Sequence, residues 1–269
     1  MSTTPEADHD VTVEEIAPRT VLITLRRAHR LNALTWPLIN DLHAALDKVH
    51  TRTDIDVVII TGEGRGFCAG SDVAGARDRK DLDIPVRFAA QQRTSGLALK
   101  LRALPQPVIA AVNGPAVGAG LGLALAADIR IAATSAVFRV GAIRMGLGAG
   151  ECGISWLLPR LTGTSAALDI MLTNRIVTAD EAERRGIVTE VVPDGALLDV
   201  AIAKAAQITS HAPFAVRSTK SVFWPNQAGD LAAAVEREDR AQILAVQTHD
   251  SRDAMAAFLE RRNPTFNNR

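Results

Sequence analysis

The stretch from Asn113 to Gly122 constrains the fold of this chain most strongly, because it carries almost no large side chains. It follows an apolar, β-like run from Val108 to Val112 and leads into a helix of small residues. A glycine-rich turn of this kind lets a ligand approach the backbone closely and presents N–H groups at a helix N-terminus. The sequence therefore predicts a strand, a turn and a helix that together can hold developing negative charge.

A second glycine-rich turn lies upstream, between Thr61 and Asp72. It also follows a β-like run, from Val57 to Ile60. Two strand–turn–helix elements can each direct one N–H donor at the same oxygen atom. The two turns together therefore predict a site that binds an oxyanion.

Composition narrows the class of protein. The chain has 269 residues, enough for one sizeable core with a small appendage, and its formal net charge is zero. A neutral chain without tyrosine and with few aromatic residues is not typical of nucleic-acid-binding proteins. The two cysteines, Cys68 and Cys152, lie far apart, which indicates reduced thiols rather than a disulfide, and no Cys/His spacing indicates a metal site.

Two segments bear on localisation. Residues 1–10 are polar and acidic and lack an apolar signal core, so we expect a disordered lead-in on a cytoplasmic protein. The uncharged stretch from Pro107 to Ala127 is about as long as a membrane span. Asn113, Pro115 and several glycines interrupt it, so a buried strand, turn and helix explain it better.

The pattern along the chain changes near residue 195. Before that point strands and helices alternate, which taken alone would suggest a doubly wound sheet. Thr35 and Pro37 mark one helix start, and Thr178 with Glu181 forms a capping box at another. Strands are predicted at 11–16, 20–25, 56–61, 108–112, 128–133 and 188–192. Helices are predicted at 36–49, 85–103, 154–161, 196–210, 213–223, 231–247 and 251–261, and one further short helix directly after the Arg65–Ser71 loop.

The glycines from Gly118 to Gly122 do not predict a nucleotide site. Their spacing does not match the dinucleotide fingerprint, and no Gly-Lys-Ser/Thr follows that would form a phosphate loop.

Five segments, in this order, resemble the motifs of the crotonase family, also called the enoyl-CoA hydratase/isomerase family. They are Arg27–Leu34, Gly64–Asp72, Asn113–Ala132, Trp156–Gly163 and Arg252–Phe266. The resemblance implies an α/β fold, with a spiral of ββα units over residues 11–195. It also implies a helical region, residues 196–269, that forms homotrimers or hexamers.

The resemblance further implies an acyl-CoA thioester as the substrate, as in fatty acid metabolism. Coenzyme A is then part of the substrate, and no separate cofactor or metal is expected. The family's oxyanion hole corresponds here to the backbone N–H groups of Ser71 and Ala119. Substrate contacts are expected at matching or nearby positions, namely His29, Arg30, Ala69, Asp72, Val73, Gly118, Lys220 and Arg262.

The chain departs from the family at two positions that carry glutamates in its hydratases. Gly122 occupies one position and Ala142 the other. Neither side chain can hold or pass a proton, so ordinary hydration is not predicted. A carboxylate remains at Glu151, where some relatives carry a functional aspartate.

Two interpretations of Glu151 stay open at this point. It can transfer a proton on the substrate, or it can merely cap the helix that begins near Gly153. Dehalogenation is disfavoured, because no histidine lies between His50 and His211 to act as the base.

We therefore expect an enzyme that stabilises an enolate of an acyl-CoA, with Glu151 as its acid or base, and favour isomerisation over hydration. The alternatives are a non-catalytic acyl-CoA-binding homologue and a CoA-thioester hydrolase.

Overall fold

The computed structural model describes residues 9–73 and 83–268. Most of the predicted lead-in, residues 1–8, and the short helix predicted after the Arg65–Ser71 loop lie outside these ranges. Within them the chain forms nine strands and ten α-helices. The strands are β1 (Val11–Ala17), β2 (Thr20–Leu25), β3 (Val57–Gly62), β4 (Val108–Val112), β5 (Ala116–Val117), β6 (Ile129–Ala133), β7 (Val137–Arg139), β8 (Val177–Thr178) and β9 (Glu190–Val192).

The helices begin and end close to the positions that the sequence predicts, and a further helix, α5, was not predicted. They are α1 (Trp36–His50), α2 (Ile84–Ala103), α3 (Ala119–Ala126), α4 (Ile154–Thr162), α5 (Thr164–Thr173), α6 (Ala179–Arg184), α7 (Leu197–Thr209), α8 (Pro213–Asn226), α9 (Leu231–Val246) and α10 (His249–Glu260).

The main sheet has the strand order β1-β2-β3-β4-β6-β9. β1 pairs antiparallel with β2, and the following neighbours are parallel. This order runs in one direction across the sheet, so the reversal point of a doubly wound sheet is not formed. The alternation of strands and helices alone therefore suggested the wrong connectivity.

Helices cover both faces of this sheet, which is why its central strands are continuous apolar runs. On one face α1, α2, α3 and α4 bury the larger core, against residues such as Val58, Ile60 and Val112. On the other face α7 buries Leu197, Ala201 and Ala205 against residues such as Ile59. Their spacing of four residues places these three side chains on one stripe of α7.

A small second sheet, β5-β7-β8, lies beside the main one. β5 pairs parallel with β7, and β7 pairs antiparallel with β8. β5 separates β4 from α3, so this sheet fixes the position at which α3 begins.

The segment after the C-terminal helices returns to the end of the main sheet at which β3 begins. Asp250 is almost fully buried and accepts hydrogen bonds from the backbone N–H groups of Asn267 (2.8 Å) and Asn268 (2.9 Å). Asn268 also donates to the Thr53 carbonyl, just before β3. α9 and α10 leave large apolar side chains exposed, Leu231 and Phe258 among them. Trimer or hexamer formation stays a prediction.

No helix in the described ranges is both long and apolar enough to span a membrane.

Candidate active site

The two glycine-rich turns pack directly on each other. Cys68 forms an isolated β-bridge with Ala116, and the Val117 N–H donates to the Cys68 carbonyl at 2.9 Å. A side-chain carbon at Gly120 would stand 2.1 Å from that same carbonyl oxygen. Glycine is therefore required at position 120 for α3 to lie against the upstream turn.

Gly70 places the upstream turn beside the start of α3. Its φ of +84° lies in the left-handed region, where side chains are disfavoured. A side-chain carbon there would be 2.6 Å from the Val117 carbonyl oxygen and 3.4 Å from the Ala119 nitrogen. Ser71, the next residue, thus lies close to the N-terminus of α3.

The N–H groups of Ser71 and Ala119 are free, while those around them are used. The Ala69 and Asp72 N–H groups donate to carbonyls of the Leu31–Leu34 segment, and the Gly118 N–H donates to the Arg139 carbonyl. Within the described residues neither the Ser71 nor the Ala119 N–H has a hydrogen-bond partner. The structure thus brings the two predicted oxyanion donors together, unpaired, at the N-terminus of a buried helix.

Asn113 holds the two turns in register, a role that the sequence analysis missed. Its side-chain amide donates to the carbonyls of Gly62 (2.7 Å) and Gly64 (2.8 Å), and its side-chain oxygen accepts the Gly62 N–H. The signal was an Asn-Gly pair directly after a buried strand, since asparagine often bonds to nearby backbone in turns.

Glu151 approaches the same helix end from the loop between β7 and α4. Its carboxylate oxygen Oε1 would be 3.0 Å from a side-chain carbon at Gly118, the residue before Ala119. No hydrogen bond or ion pair of this side chain is found within residues 9–73 and 83–268. The carboxylate is partly buried, and this burial raises the pKa of Glu151.

The Glu151 side chain does not cap α4. Gly153 is the N-cap residue, and no side chain donates or accepts a capping hydrogen bond there. Only the backbone carbonyl of Glu151 takes part, accepting the Ile154 N–H at 2.9 Å. The Glu151 carboxylate therefore does not form the helix cap that the second interpretation requires.

The two positions that carry glutamates in hydratases are buried here and hold no acid or base. A side-chain carbon at Gly122 would be 2.6 Å from the Cys152 Cβ and 2.7 Å from the Cys152 carbonyl oxygen. Ala142 is almost fully buried. Neither position offers a group for proton transfer, and at Gly122 a side chain would collide with Cys152.

The surroundings of the two thiols disfavour a nucleophilic role. Cys68 and Cys152 are both free and buried, and burial raises the pKa of each to about 12. The reactive thiolate is then scarce at neutral pH.

Several of the expected substrate contacts form a rim next to the two turns. His29 and Arg30 are exposed on a 3-10 turn, and Val73 is exposed directly after the upstream glycine-rich turn. Asn32 ties this 3-10 turn to the upstream glycine-rich turn, because its amide donates to the Gly66 carbonyl at 2.7 Å. Asp72 pairs with Arg27 at 3.3 Å. Contacts of this rim with coenzyme A stay predictions.

Lys220 and Arg262 lie apart from this rim. Lys220 is nearly buried, with its ammonium 2.7 Å from Asp128. Arg262 is bound to Asp253 at 2.6 Å, beyond the end of α10. Both cations already have carboxylate partners, which disfavours the predicted contacts with the phosphates of coenzyme A.

No group of three or more His, Cys, Asp or Glu side chains in the described ranges is arranged to hold a metal ion.

Known proteins resemble the chain over nearly its whole length. A family model described as enoyl-CoA hydratase/isomerase matches residues 15–269. A probable enoyl-CoA hydratase of Mycobacterium tuberculosis is 42% identical, over 95% of this chain and 92% of its own. The 1,2-epoxyphenylacetyl-CoA isomerase of Escherichia coli is 34% identical, over 91% of this chain and 93% of its own length. The crystal structure of an enoyl-CoA hydratase from Bacillus anthracis superposes with a TM-score of 0.91 at 33% identity, covering 97% of this chain and 100% of that one.

Proposed function

The chain belongs to the enoyl-CoA hydratase/isomerase family, whose members act on coenzyme A thioesters, and from this premise we propose that it isomerises an unsaturated acyl-CoA. The family and the α/β crotonase-type fold predicted from the sequence are thereby confirmed. One observation supports the choice of isomerisation: the unpaired Glu151 carboxylate lies beside the free N–H groups of Ser71 and Ala119.

In this proposal the thioester carbonyl oxygen accepts hydrogen bonds from the Ser71 and Ala119 N–H groups. Glu151 removes a proton from C2 of a 3-enoyl-CoA, and the electron pair of that C–H bond forms a dienolate with negative charge on the thioester oxygen. The same carboxyl group returns the proton to C4, and the double bond moves to C2–C3. Each oxyanion donor of this kind is typically worth about 3–4 kcal/mol in the transition state.

The surroundings of Glu151 suit a group that takes up and returns one proton. Its raised pKa makes the carboxylate a better proton acceptor than an exposed glutamate. Its lack of fixed partners leaves both oxygens available to the substrate. Hydration, by contrast, also needs a group that positions and activates water, and Gly122 and Ala142 offer none.

The experiment is product analysis by mass spectrometry in heavy-oxygen water, with a panel of 2-enoyl-, 3-enoyl- and dienoyl-CoA thioesters. Isomerisation gives a product of unchanged mass, which liquid chromatography separates from the substrate before the mass is measured, whereas hydration adds one heavy water. We expect Glu151→Gln to lower turnover by about 10²–10⁴-fold. Glu14→Gln, an exposed residue of β1, serves as the matched control and should behave like the wild type.

A second candidate is supported by the loss of both hydratase glutamates. The protein would then bind acyl-CoA without converting it. Tight binding with no product across the panel, in both the wild type and Glu151→Gln, would establish this second candidate. Release of free coenzyme A would instead indicate thioester hydrolysis.

A further inference from the structure

A cavity of 430 Å³ lies between α2, α3, α4 and α8, next to the candidate active site. Its walls are largely apolar and include Ala98, Ala126, Leu157 and Trp224. Cys152 and Gly153 also line it, and they directly follow Glu151 in the chain. The cavity therefore begins at the turn that carries the proposed acid or base.

Arg102 places a cation in the wall of this apolar cavity. Its guanidinium stacks 3.4 Å from the centre of the Trp224 ring, and Nη2 donates to the Leu125 carbonyl at 3.1 Å. Nη1 is buried and has no hydrogen-bond partner within the described residues. A buried donor without a partner is destabilising, and more so when the group is charged.

The charges around Arg102 do not balance. Arg102 lies close enough to influence both Arg130 and Lys220, and Asp128 is the carboxylate that acts on all three. Asp128 is itself occupied, since it pairs with Lys220 and accepts the Trp224 indole N–H at 2.8 Å. Burial lowers the pKa of Arg102 to about 10, so the guanidinium is still charged at neutral pH. The region thus carries an excess of buried positive charge.

The rise along α3 from Ala119 to the residue that binds Arg102 suits an acyl chain of moderate length. Arg102 bonds to Leu125, which lies six residues after Ala119 in α3, or about 9 Å along the helix axis. An extended chain covers slightly more than 1 Å per bond, so roughly six to eight carbons span this gap.

We propose that this cavity receives the acyl chain and that Arg102 pairs with a carboxylate at the chain's far end. The substrate class is then the coenzyme A thioester of an unsaturated dicarboxylic acid, an inference that rests on the proposed function. An uncharged alkyl tail in the same cavity would leave the Arg102 guanidinium in its wall without an anionic partner. A terminal carboxylate supplies that partner, in a place where charge-assisted hydrogen bonds are strong.

The test measures binding and needs no turnover. Isothermal titration calorimetry compares suberyl-CoA, which ends in a carboxylate, with octanoyl-CoA, which has the same chain length and ends in a methyl group. We expect the wild type to bind suberyl-CoA at least tenfold more tightly. In Arg102→Met this ratio should fall at least tenfold, and Arg102→Lys should retain part of it. Arg160→Met is the matched control, because Arg160 stacks on Trp156 at 3.7 Å in a similar way but does not line the cavity.

Equal or tighter binding of octanoyl-CoA by the wild type would overturn the inference, even if Arg102→Met does not fold. An equal loss of affinity for both ligands in Arg102→Met would overturn it as well. Failure of the proposed isomerisation is a separate result, visible only in the product assay. A clear preference for suberyl-CoA with no conversion would therefore reject the reaction and retain the ligand class.

Discussion

Gly122 should not tolerate even a methyl group, although alanine is ordinarily the better helix former. Replacing an interior helical glycine by alanine stabilises a helix by up to about 1 kcal/mol. At Gly122, however, the added carbon would stand 2.6 Å from the Cys152 Cβ and 2.7 Å from the Cys152 carbonyl oxygen. Carbon atoms pack best at about 3.5–4.0 Å, so the overlap is about 1 Å.

Cys152 cannot move away cheaply. Its own φ is +49°, and Gly153 follows with a φ of +83°, so two successive left-handed residues fix the turn. Overpacking of a buried site costs about 1–3 kcal/mol, and we take the upper end of this range because two atoms overlap, one of them in the backbone. After subtraction of the helix gain, Gly122→Ala should lower the free energy of unfolding by about 2 kcal/mol.

Gly96→Ala provides a matched control in another helix, α2. A side-chain carbon at Gly96 would meet only the His43 Cε1 atom, at an ordinary 3.8 Å. This variant should gain about 0.5–1 kcal/mol. The two alanine variants should then differ by about 3 kcal/mol, roughly a hundredfold in the folding equilibrium.

Urea denaturation followed by circular dichroism, at one fixed protomer concentration, measures this difference. A Gly122→Ala protein as stable as the wild type would refute the reasoning from packing. The same overlap predicts that Gly122→Glu will not create hydratase activity.

Two further predictions concern single carboxylates. Burial raises the pKa of Glu151 above its ordinary 4.5, so its charged form destabilises the fold, and the penalty grows as the pH rises through the raised pKa. Glu151→Gln should therefore have a higher melting temperature than the wild type at pH 7, and this gain should shrink as the pH falls through the raised pKa; a lower melting temperature at pH 7 would contradict this. Asp250→Asn removes the charge and one of the two oxygen atoms that accept hydrogen bonds from the C-terminal backbone. We expect thermal denaturation to show that the free energy of unfolding falls by about 1–3 kcal/mol. An unchanged melting temperature would argue against this.

The sequence predicted the parts of the fold that depend on local chemistry. α1 begins at Trp36, as expected, with the Thr35 side chain accepting the Leu38 N–H. α6 begins after Thr178, which accepts the Glu181 N–H as its capping box requires. In both cases the residues that decide the structure lie within one helical turn of each other, so the pattern alone is informative.

Other parts could not be predicted, because nothing local marks them. α5 follows Gly163 without a capping side chain, and β5 and β8 are only two residues long, too short to show a periodic pattern. In the candidate site, the spacing of glycines indicated two turns but not that they leave Ser71 and Ala119 unpaired. Gly122 and Cys152 are thirty positions apart in the sequence. Only the folded chain shows that a side chain at position 122 would overlap Cys152.

The contact between α3 and the Cys152 turn also limits how such a protein can change over generations. A mutation that introduced glutamate at position 122 would meet an occupied space, and selection would remove it before any new activity could be favoured. The turn from Gly150 to Gly153 would have to be rebuilt first, by changes that bring no catalytic benefit of their own. A glutamate at position 122 is thus separated from this scaffold by an ordered series of substitutions, and the shape of one turn makes the path difficult to reverse.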